Sequence, residues 1–303
     1  MRNSPLAATL VRTACALVIG LSVLMTASDG SSHEPDADEI ALGSLIDAEL
    51  AFARMGAERG IREAFLANFA DNGVVFEPAP VRLRETWSAR PPPADPHAQK
   101  LEWKPAQAGV ARSHDFGYTT GPYTLTSTAQ PAAPRRGVFF SVWRKDGSGR
   151  WKVLLDFGIS TPNAVDFAAL GEAPRPHFSG PAHVERERRA LLDRERDKAN
   201  PEGFTPNAYG LLLATNARLH RNQYAPVVSR GAVSADMARR MSHVTWTPID
   251  AIVAPSADMA VTYGRYRETD HAAAMHDGYY AHLWLRDAGG RWHLAYDIAV
   301  PAG

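Results

Sequence analysis

The sequence contains a single cysteine, Cys15, among its 303 residues. Cys15 lies in an N-terminal segment that we expect to be removed, so the mature chain would contain no cysteine. Without cysteine it can form no disulfide, no thiol nucleophile and no thiolate metal site. These kinds of site are excluded before any motif is considered.

The chain also has no excess of charge of either sign. Lysine plus arginine and aspartate plus glutamate both total 33, which gives a formal net charge of zero. No overall field therefore draws the protein to nucleic acid or to an anionic membrane surface. We expect no nucleic-acid partner.

The apolar run near the N-terminus is too short to cross a bilayer. It covers 14 residues, 14–27, whereas a spanning helix needs about 20. Arg2 and Arg12 precede it and a polar stretch follows it, which is the order of a secretory signal. We predict a signal peptide over 1–28, a periplasmic or secreted protein, and no stable membrane span after cleavage. An uncleaved N-terminal anchor is the alternative.

Motifs for phosphate and metal binding are missing as well. The glycines at 147–149 and 289–290 lie in hairpin signals with no helix after them, so they form no phosphate loop. His271 and His276 are five residues apart in a loop pattern, and His282 and His293 have no carboxylate at ligand spacing. We expect no metal and no cofactor.

What the sequence does contain is one long internal repeat. The segment 101–157 returns in altered form at 244–298. Trp103 and Trp246 are 143 residues apart, and Trp143 and Trp284 are 141 residues apart. Periods of a few tens of residues would indicate a solenoid or a propeller, but a unit of this length indicates duplicated domains.

Each unit combines helices with a series of strands. In the first unit an apolar stripe over 38–59 predicts an amphipathic helix, with Glu49 among the polar residues outside the stripe. A short helix is predicted over 61–70, and β-branched and aromatic runs predict strands from 101 onwards. We therefore predict two α+β domains, at 38–163 and 182–303, joined by a linker at 164–181 that contains several prolines.

The first unit resembles the nuclear transport factor 2-like superfamily. The resemblance rests on Phe-Leu-Ala-Asn-Phe-Ala-Asp-Asn-Gly-Val-Val-Phe (65–76), Trp-x-Pro (103–105), Gly-Tyr-Thr-Thr-Gly-Pro-Tyr (117–123) and Val-Trp-Arg-Lys (142–145), and more weakly on the second unit. The SnoaL-like and ketosteroid-isomerase-like proteins, a poorly characterised bacterial branch, are the most similar group.

The resemblance implies a particular α+β architecture. Each domain would be cone-shaped, a curved antiparallel β-sheet wrapped round two to three N-terminal helices, with a pocket at the open end. Because members of the superfamily often pair through their sheets, the resemblance also implies that the two domains pack as an internal pseudo-dimer.

The family's catalytic groups do not transfer to this sequence. Ketosteroid isomerases take a tyrosine from the first helix, but neither 38–59 nor 182–199 contains a tyrosine. Their carboxylate pair has no counterpart that aligns, and no dehydratase-like His and Asp pair is legible. Membership of the fold therefore assigns no activity.

Two aspartates occupy matching places in the last strand of each unit, Asp156 and Asp297. Strand alternation puts the bulky residues of 151–157 on the helix side, so Asp156 is expected on the convex side unless a bulge redirects it. Each aspartate could be a buried general base with a raised pKa. The alternative is a structural hydrogen bond to a turn or to the interface between the domains.

A histidine marks a difference between the units. His282 stands where the first unit has Ser141, which suggests that the two cavities differ. If one unit is active, His282 with Asp297 is a candidate acid/base pair, and a core histidine is the alternative.

Aromatic residues retained in both units are candidates for a ligand pocket. They could line an apolar pocket in which the tyrosine hydroxyl offers one polar group, or they could be core residues that the shared fold requires. The candidate ligand-binding residues are Trp103, Tyr123, Ser141, Trp143, Trp246, Tyr266 and Trp284.

Three hypotheses about function follow. The leading one is an exported protein that binds a small apolar or amphipathic molecule in one or both cones. The second is a cofactor-free acid/base enzyme, of the isomerase or dehydratase type, that uses one cone with Asp156, or His282 and Asp297, as proton carriers. The third is a structural or interaction module whose cones are filled by side chains.

Overall fold

A computed structural model of the chain describes residues 36–196 and 202–302. The predicted signal peptide, 1–28, lies outside these residues. In the part of the chain that is described, no helix is long and apolar enough to cross a membrane.

The first half of the chain, 37–160, forms three helices and seven strands, which we call the first cone. They are α1 Ala37–Arg59, α2 Ile61–Asn68, β1 Phe69–Phe76, β2 Pro80–Arg82, α3 Leu83–Ala89, β3 Gln99–Trp103, β4 Gln107–Val110, β5 Phe116–Ser127, β6 Gln130–Lys145 and β7 Trp151–Ser160. The strands pair in the order β2-β1-β7-β6-β5-β3, and β4 also pairs with β5.

Helix α1 has clear sequence signals at both ends. Asp36 and Glu39 form a reciprocal capping box at its start, and Gly60, with a φ of 86°, ends it. Its buried face carries Ala41, Leu45, Glu49, Phe52 and Gly56. The assignment of Glu49 to the polar side of the helix was therefore wrong, because spacing of three to four residues places it between Leu45 and Phe52.

The second half, 184–301, repeats this plan and is called the second cone. Its elements are α4 Val184–Arg196, α5 Pro206–Leu212, β8 Leu213–Arg221, β9 Val227–Val228, α6 Arg230–Arg240, β10 His243–Val253, β11 Met259–Thr269, β12 Met275–Arg286 and β13 Trp292–Pro301. The strands pair in the order β10-β11-β12-β13-β8-β9. Between the cones, the segment from 161 to 183 contains one short 3-10 helix, Ala168–Leu170.

The predicted α+β class is confirmed in both halves, each of which has three helices and one sheet. Each sheet is antiparallel except for one pair, β1 with β7 in the first cone and β8 with β13 in the second, which are parallel. In each cone, the strand that directly follows a short helix therefore lies beside the last strand: β1 after α2 lies beside β7, and β8 after α5 lies beside β13. The short helices α2 and α5 contact these last strands, β7 and β13.

A β-bulge in the last strand of each cone redirects those aspartates. Val142 pairs with Leu155 but Trp143 pairs with Val153, so Leu154 is an extra residue in β7. The face that carries Trp151 and Val153 therefore continues with Asp156. Ala295 is the extra residue in β13, because Leu283 pairs with Tyr296 and Trp284 with Leu294.

The bulges change the expected orientation of both aspartates. Period-two alternation placed them on the convex side, but the structure places them on the side of the sheet that faces the helices. Leu155 and Phe157 turn to the opposite face instead, where they join a different core cluster from Trp151 and Val153. One extra residue reverses the alternation for the rest of the strand.

The faces of the two sheets that point away from their helices share one hydrophobic cluster. It combines Phe140 and Phe157 of the first cone with Leu283, Tyr296 and Ile298 of the second. A buried polar contact crosses the same region, because the Tyr296 hydroxyl donates to Gln107 Oε1 at 2.9 Å. The two sheets thus contribute to a common core.

Candidate active site in the first cone

The first cone holds a cavity of about 580 Å³. This volume is in the range of pockets that bind small organic molecules. Most residues of its wall are aromatic or aliphatic, and the others include Glu77, Arg135 and Asp156. The lining residues are Phe52, Ile61, Phe65, Val75, Phe76, Glu77, Trp87, Gln99, Leu101, Trp103, Tyr123, Leu125, Arg135, Phe139, Asp156, Gly158 and Ser160.

Asp156 presents a carboxyl group to this apolar wall. The Ser141 hydroxyl, on the neighbouring strand, donates a hydrogen bond of 2.7 Å to Asp156 Oδ2. Burial raises the pKa of Asp156 to about 6, although the bond from Ser141 acts in the opposite direction. The carboxyl group can therefore gain and lose a proton near neutral pH, as a general base or acid must.

A second carboxyl group, Glu49 of α1, is fully buried in the same cone. It accepts hydrogen bonds from Trp103 Nε1 at 2.6 Å, Thr119 Oγ1 at 2.5 Å and Trp143 Nε1 at 3.2 Å. Burial raises the pKa of Glu49 to about 7 against the effect of the Thr119 and Trp103 bonds, and the charge of Asp156 adds to the rise. Two carboxyl groups with raised pKa values thus lie close enough to influence each other.

Sequence reasoning missed Glu49, although a signal for it was present. A carboxylate flanked at four and three residues by Leu45 and Phe52 lies on the apolar stripe of an amphipathic helix. Helix periodicity could not predict the hydrogen-bond donors to Glu49, because Trp103, Thr119 and Trp143 come from three different strands.

The second cone keeps the buried glutamate but surrounds it differently. Glu195 of α4 is 1% exposed and accepts hydrogen bonds from Thr262 Oγ1 and, at 2.6 Å, from the Tyr280 hydroxyl. His282 Nδ1 lies 2.7 Å from Glu195 Oε1. Trp284 Nε1 donates to Thr262 at 2.9 Å, as Trp143 Nε1 donates to Thr119 at 3.0 Å in the first cone.

Asp297 is held in an ion network. Arg221 donates two hydrogen bonds to its carboxylate, at 2.7 and 2.9 Å, and the Tyr209 hydroxyl donates a third at 2.7 Å. His282 Nε2 lies 3.5 Å from Asp297 Oδ1. Burial would raise the pKa of Asp297, but the charges of Arg221 and His282 outweigh it and hold that pKa well below its usual range.

The same network favours protonation of His282. Burial opposes protonation of the imidazole, but the carboxylates of Asp297 and Glu195 outweigh that cost and raise the pKa of His282. An ionised aspartate already paired with an arginine is a weak proton acceptor. The chemistry available to Asp297 therefore differs from that of Asp156.

Three substitutions account for the difference between the cones. Val75 pairs with Asp156, and Leu219 pairs with Asp297. Two residues after each of these partners, Arg221 of the second cone takes the place of Glu77 of the first. Tyr209 takes the place of Phe65 in the short helix, and His282 takes the place of Ser141. Each replacement adds a polar group that bonds to Asp297 or to Glu195 and fills the interior.

The opening of the second cone consequently leads only to a small depression of about 290 Å³. Arg221, Tyr266 and Glu268 contribute to its wall, whereas Asp297 and His282 do not. The suggestion that the cavities differ thus has a structural counterpart. The first cone is open at its aspartate and the second is occupied by its own side chains.

The site residues predicted from the sequence lie in both cones. Trp103, Tyr123 and Asp156 line the cavity of the first cone, while Ser141 and Trp143 lie behind its wall and bond to the two carboxyl groups.

In the second cone, Trp246 and Trp284 are buried in the core around His282, and Tyr266 lies at the opening. Among residues 36–196 and 202–302, no three His, Cys, Asp or Glu side chains form a group that could hold a metal ion.

Comparison with solved structures finds similar folds. A ketosteroid isomerase-like protein from Erwinia carotovora atroseptica is 18% identical, with a TM-score of 0.32, over 39% of this chain and 95% of its own. A cystatin-like protein of unknown function from Nostoc punctiforme is 15% identical, with a TM-score of 0.32, over 40% of this chain and 91% of its own.

A nuclear transport factor 2-like protein from Salmonella enterica is 8% identical, with a TM-score of 0.32, over 39% of this chain and 93% of its own. At these identities the similarity describes the fold and carries no information on activity. No family model matches the sequence, and no curated protein matches it significantly.

The fold and the site together define the class of protein. The described residues form two α+β units of one design in tandem, and the solved structures that the chain is similar to include nuclear transport factor 2-like and ketosteroid isomerase-like proteins. One of the two units has an open apolar cavity with a titratable carboxyl group in its wall, and the other has a closed, charged interior.

Proposed function

We propose that the first cone is the functional one and that it binds a small, mainly apolar molecule from which Asp156 accepts a proton. The observation that supports this proposal is Asp156 itself, a carboxyl group with a pKa near 6 in the wall of an open apolar cavity. Its activity would be cofactor-free acid/base catalysis of the isomerase type.

The proposed step moves one proton and needs no other reactant. Asp156 takes a proton from a carbon next to a carbonyl group of the substrate, and the electron pair of the broken C–H bond moves into the resulting enolate. Return of the same proton from Asp156 to a conjugated carbon completes an isomerisation. Ser141 holds one carboxylate oxygen and leaves the other for the substrate.

Binding without chemistry is a second candidate, and a specific observation favours it. The indole donors of the two tryptophans in the cavity wall are already engaged, because Trp103 Nε1 donates to Glu49 and Trp87 Nε1 donates to Glu77. They are therefore not free to stabilise the negative charge of an enolate. In this alternative Asp156 would accept a hydrogen bond from a ligand hydroxyl group.

We also propose roles for the rest of the chain. The shared cluster of the two sheets supports an internal pseudo-dimer in which the second cone stabilises the first. The signal-like pattern of 1–28 supports export to the periplasm or the medium. Fractionation of the producing cells with an antibody to the mature chain tests the second proposal.

Proton abstraction can be tested without knowledge of the natural substrate. The probe is 5-nitrobenzisoxazole, from which a base removes one C–H proton while the N–O bond breaks to release a coloured phenolate. We expect the wild-type protein to accelerate this reaction, with a rate that rises as the pH passes through about 6 because the acting form is the carboxylate. Asp156→Asn should reduce the rate at least tenfold.

The exposed Asp71 provides a matched control in the same cone. Asp71→Asn removes one carboxylate and should retain the wild-type rate. Circular dichroism and thermal unfolding establish that each variant is folded. Equal rates for wild type and Asp156→Asn would refute proton abstraction by Asp156, and the binding alternative would then be favoured if the probe still displaces a fluorescent apolar dye from the cavity.

A further inference from the structure

The opening of the first cone carries a cationic side chain with no partner. Arg135 on β6 lines the cavity and is exposed, and it makes no hydrogen bond or ion pair with any residue in the described part of the chain. Glu77, another charged residue of the wall, is already bonded to Trp87 Nε1 at 2.6 Å and to Arg90 at 2.8 Å. The charge of Arg135 is thus available to a ligand.

The position of Arg135 relative to Asp156 follows from the strand register. Arg135, Phe139 and Ser141 alternate onto one face of β6, and Ser141 pairs with Asp156. Six residues of strand separate Arg135 from Ser141, which corresponds to about 20 Å of backbone. The cationic group therefore lies at the opening and the carboxyl group lies deeper in the same cavity.

The second cone has a histidine, and no arginine, at the matching place. Gly137 and Gly278 occupy matching places in β6 and β12, so the counterpart of Arg135 is His276. His276 Nε2 lies 3.3 Å from Asp270 Oδ2, and the depression beside it is the small one. An unpaired cation at the opening is a feature of the cone that also has the open cavity.

We propose that the ligand of the first cone is an amphipathic organic acid, bound with its carboxylate at Arg135 and its apolar body along the aromatic wall towards Asp156. This inference rests on the proposed function and adds the chemical class of the substrate. The orientation follows from charge, because a carboxylate at the inner end would meet the carboxyl group of Asp156. A guanidinium group is suited to bidentate binding of a carboxylate.

Calorimetric titration of the full chain with octanoate and octanol at pH 7 tests the assignment. The two probes share their apolar chain and differ in the charged end. We expect octanoate to bind more tightly than octanol to the wild-type protein, and Arg135→Gln to weaken octanoate binding about tenfold while octanol binding stays the same. Added salt should weaken octanoate binding alone.

Arg136 supplies the matched control, since it is exposed, neighbours Arg135 and points to the other face of β6. Arg136→Gln makes the same change in net charge and should keep the wild-type affinity for octanoate. Equal weakening by Arg135→Gln and Arg136→Gln, or equal affinity of the wild type for octanoate and octanol, would overturn the assignment.

The octanoate experiment and the test of proton abstraction can fail independently of each other. The probe 5-nitrobenzisoxazole is neutral, so its reaction in the wild type and in Asp156→Asn tests proton abstraction without a charged end that Arg135 could bind. Loss of the octanoate preference with a normal rate would refute the anionic ligand alone. A normal octanoate preference with no effect of Asp156→Asn on the rate would refute proton abstraction alone.

Discussion

Replacing Arg221 with leucine is expected to lower the free energy of unfolding by about 3–5 kcal/mol, the usual cost of removing one partner of a buried ion pair. Arg221 makes two hydrogen bonds to Asp297, whose side chain is 1% exposed, and its guanidinium lies 3.5 Å from Glu268. Without the arginine both carboxylates lose their nearest arginine, and the carboxylate of Asp297 is closed to solvent. Unfolding in urea, followed by tryptophan fluorescence, measures the loss.

The second cone contains a matched ion pair on its surface. Arg267 and Asp277 also form two hydrogen bonds, at 2.7 and 3.0 Å, but their side chains are 54% and 53% exposed. Arg267→Leu should therefore cost only a small fraction of the stability lost in Arg221→Leu, because water solvates the remaining carboxylate. Similar losses for the two variants would contradict the role assigned to the buried network.

Replacing Glu49 with glutamine is expected to change how stability depends on pH. The pKa of Glu49 is about 7 in the folded chain and 4.5 in the reference state. Between these values the folded chain holds a proton that the unfolded chain has released, so the contribution of Glu49 to stability is complete below pH 4.5 and is lost as the pH rises through 7. The loss amounts to about 3 kcal/mol at most.

Glutamine at position 49 cannot release a proton, so the variant lacks this loss. The wild type should have its greatest advantage over Glu49→Gln at and below pH 4.5, and the advantage should shrink or reverse by pH 8. Urea midpoints at several pH values measure the difference. Glu102→Gln removes a carboxylate from an exposed position in the same cone and corrects for the change in net charge. A difference between wild type and Glu49→Gln that is constant with pH would refute the raised pKa.

Much of the fold was accessible from the sequence. The spacing of the two tryptophan pairs predicted the duplication, and the apolar stripe over 38–59 predicted the first helix, Ala37–Arg59, within one residue. These features are local or periodic, so they are visible without tertiary contacts. The predicted signal peptide and the location of the protein stay predictions.

The site was only partly accessible. Asp156 was a candidate because both units retain an aspartate in a bulky strand, but alternation placed it on the wrong face. The position of a bulge depends on how two neighbouring strands pair, and no residue in 151–157 signals it. Glu49 was missed because it was assigned to the polar side of its helix, and its three donors come from strands that only the folded chain brings together.

By itself the sequence determined that this protein has two α+β units of one design, since hydrophobic periodicity and repetition are properties of the chain alone. Only the tertiary structure decided that the first unit is open and the second is filled. Tyr209 and Arg221 look unremarkable in sequence, but they join His282 around Asp297 once β8, β12 and β13 are adjacent. Proximity of residues far apart in the chain is created by strand pairing and helix packing, and the pKa of a buried carboxyl group is set by that proximity.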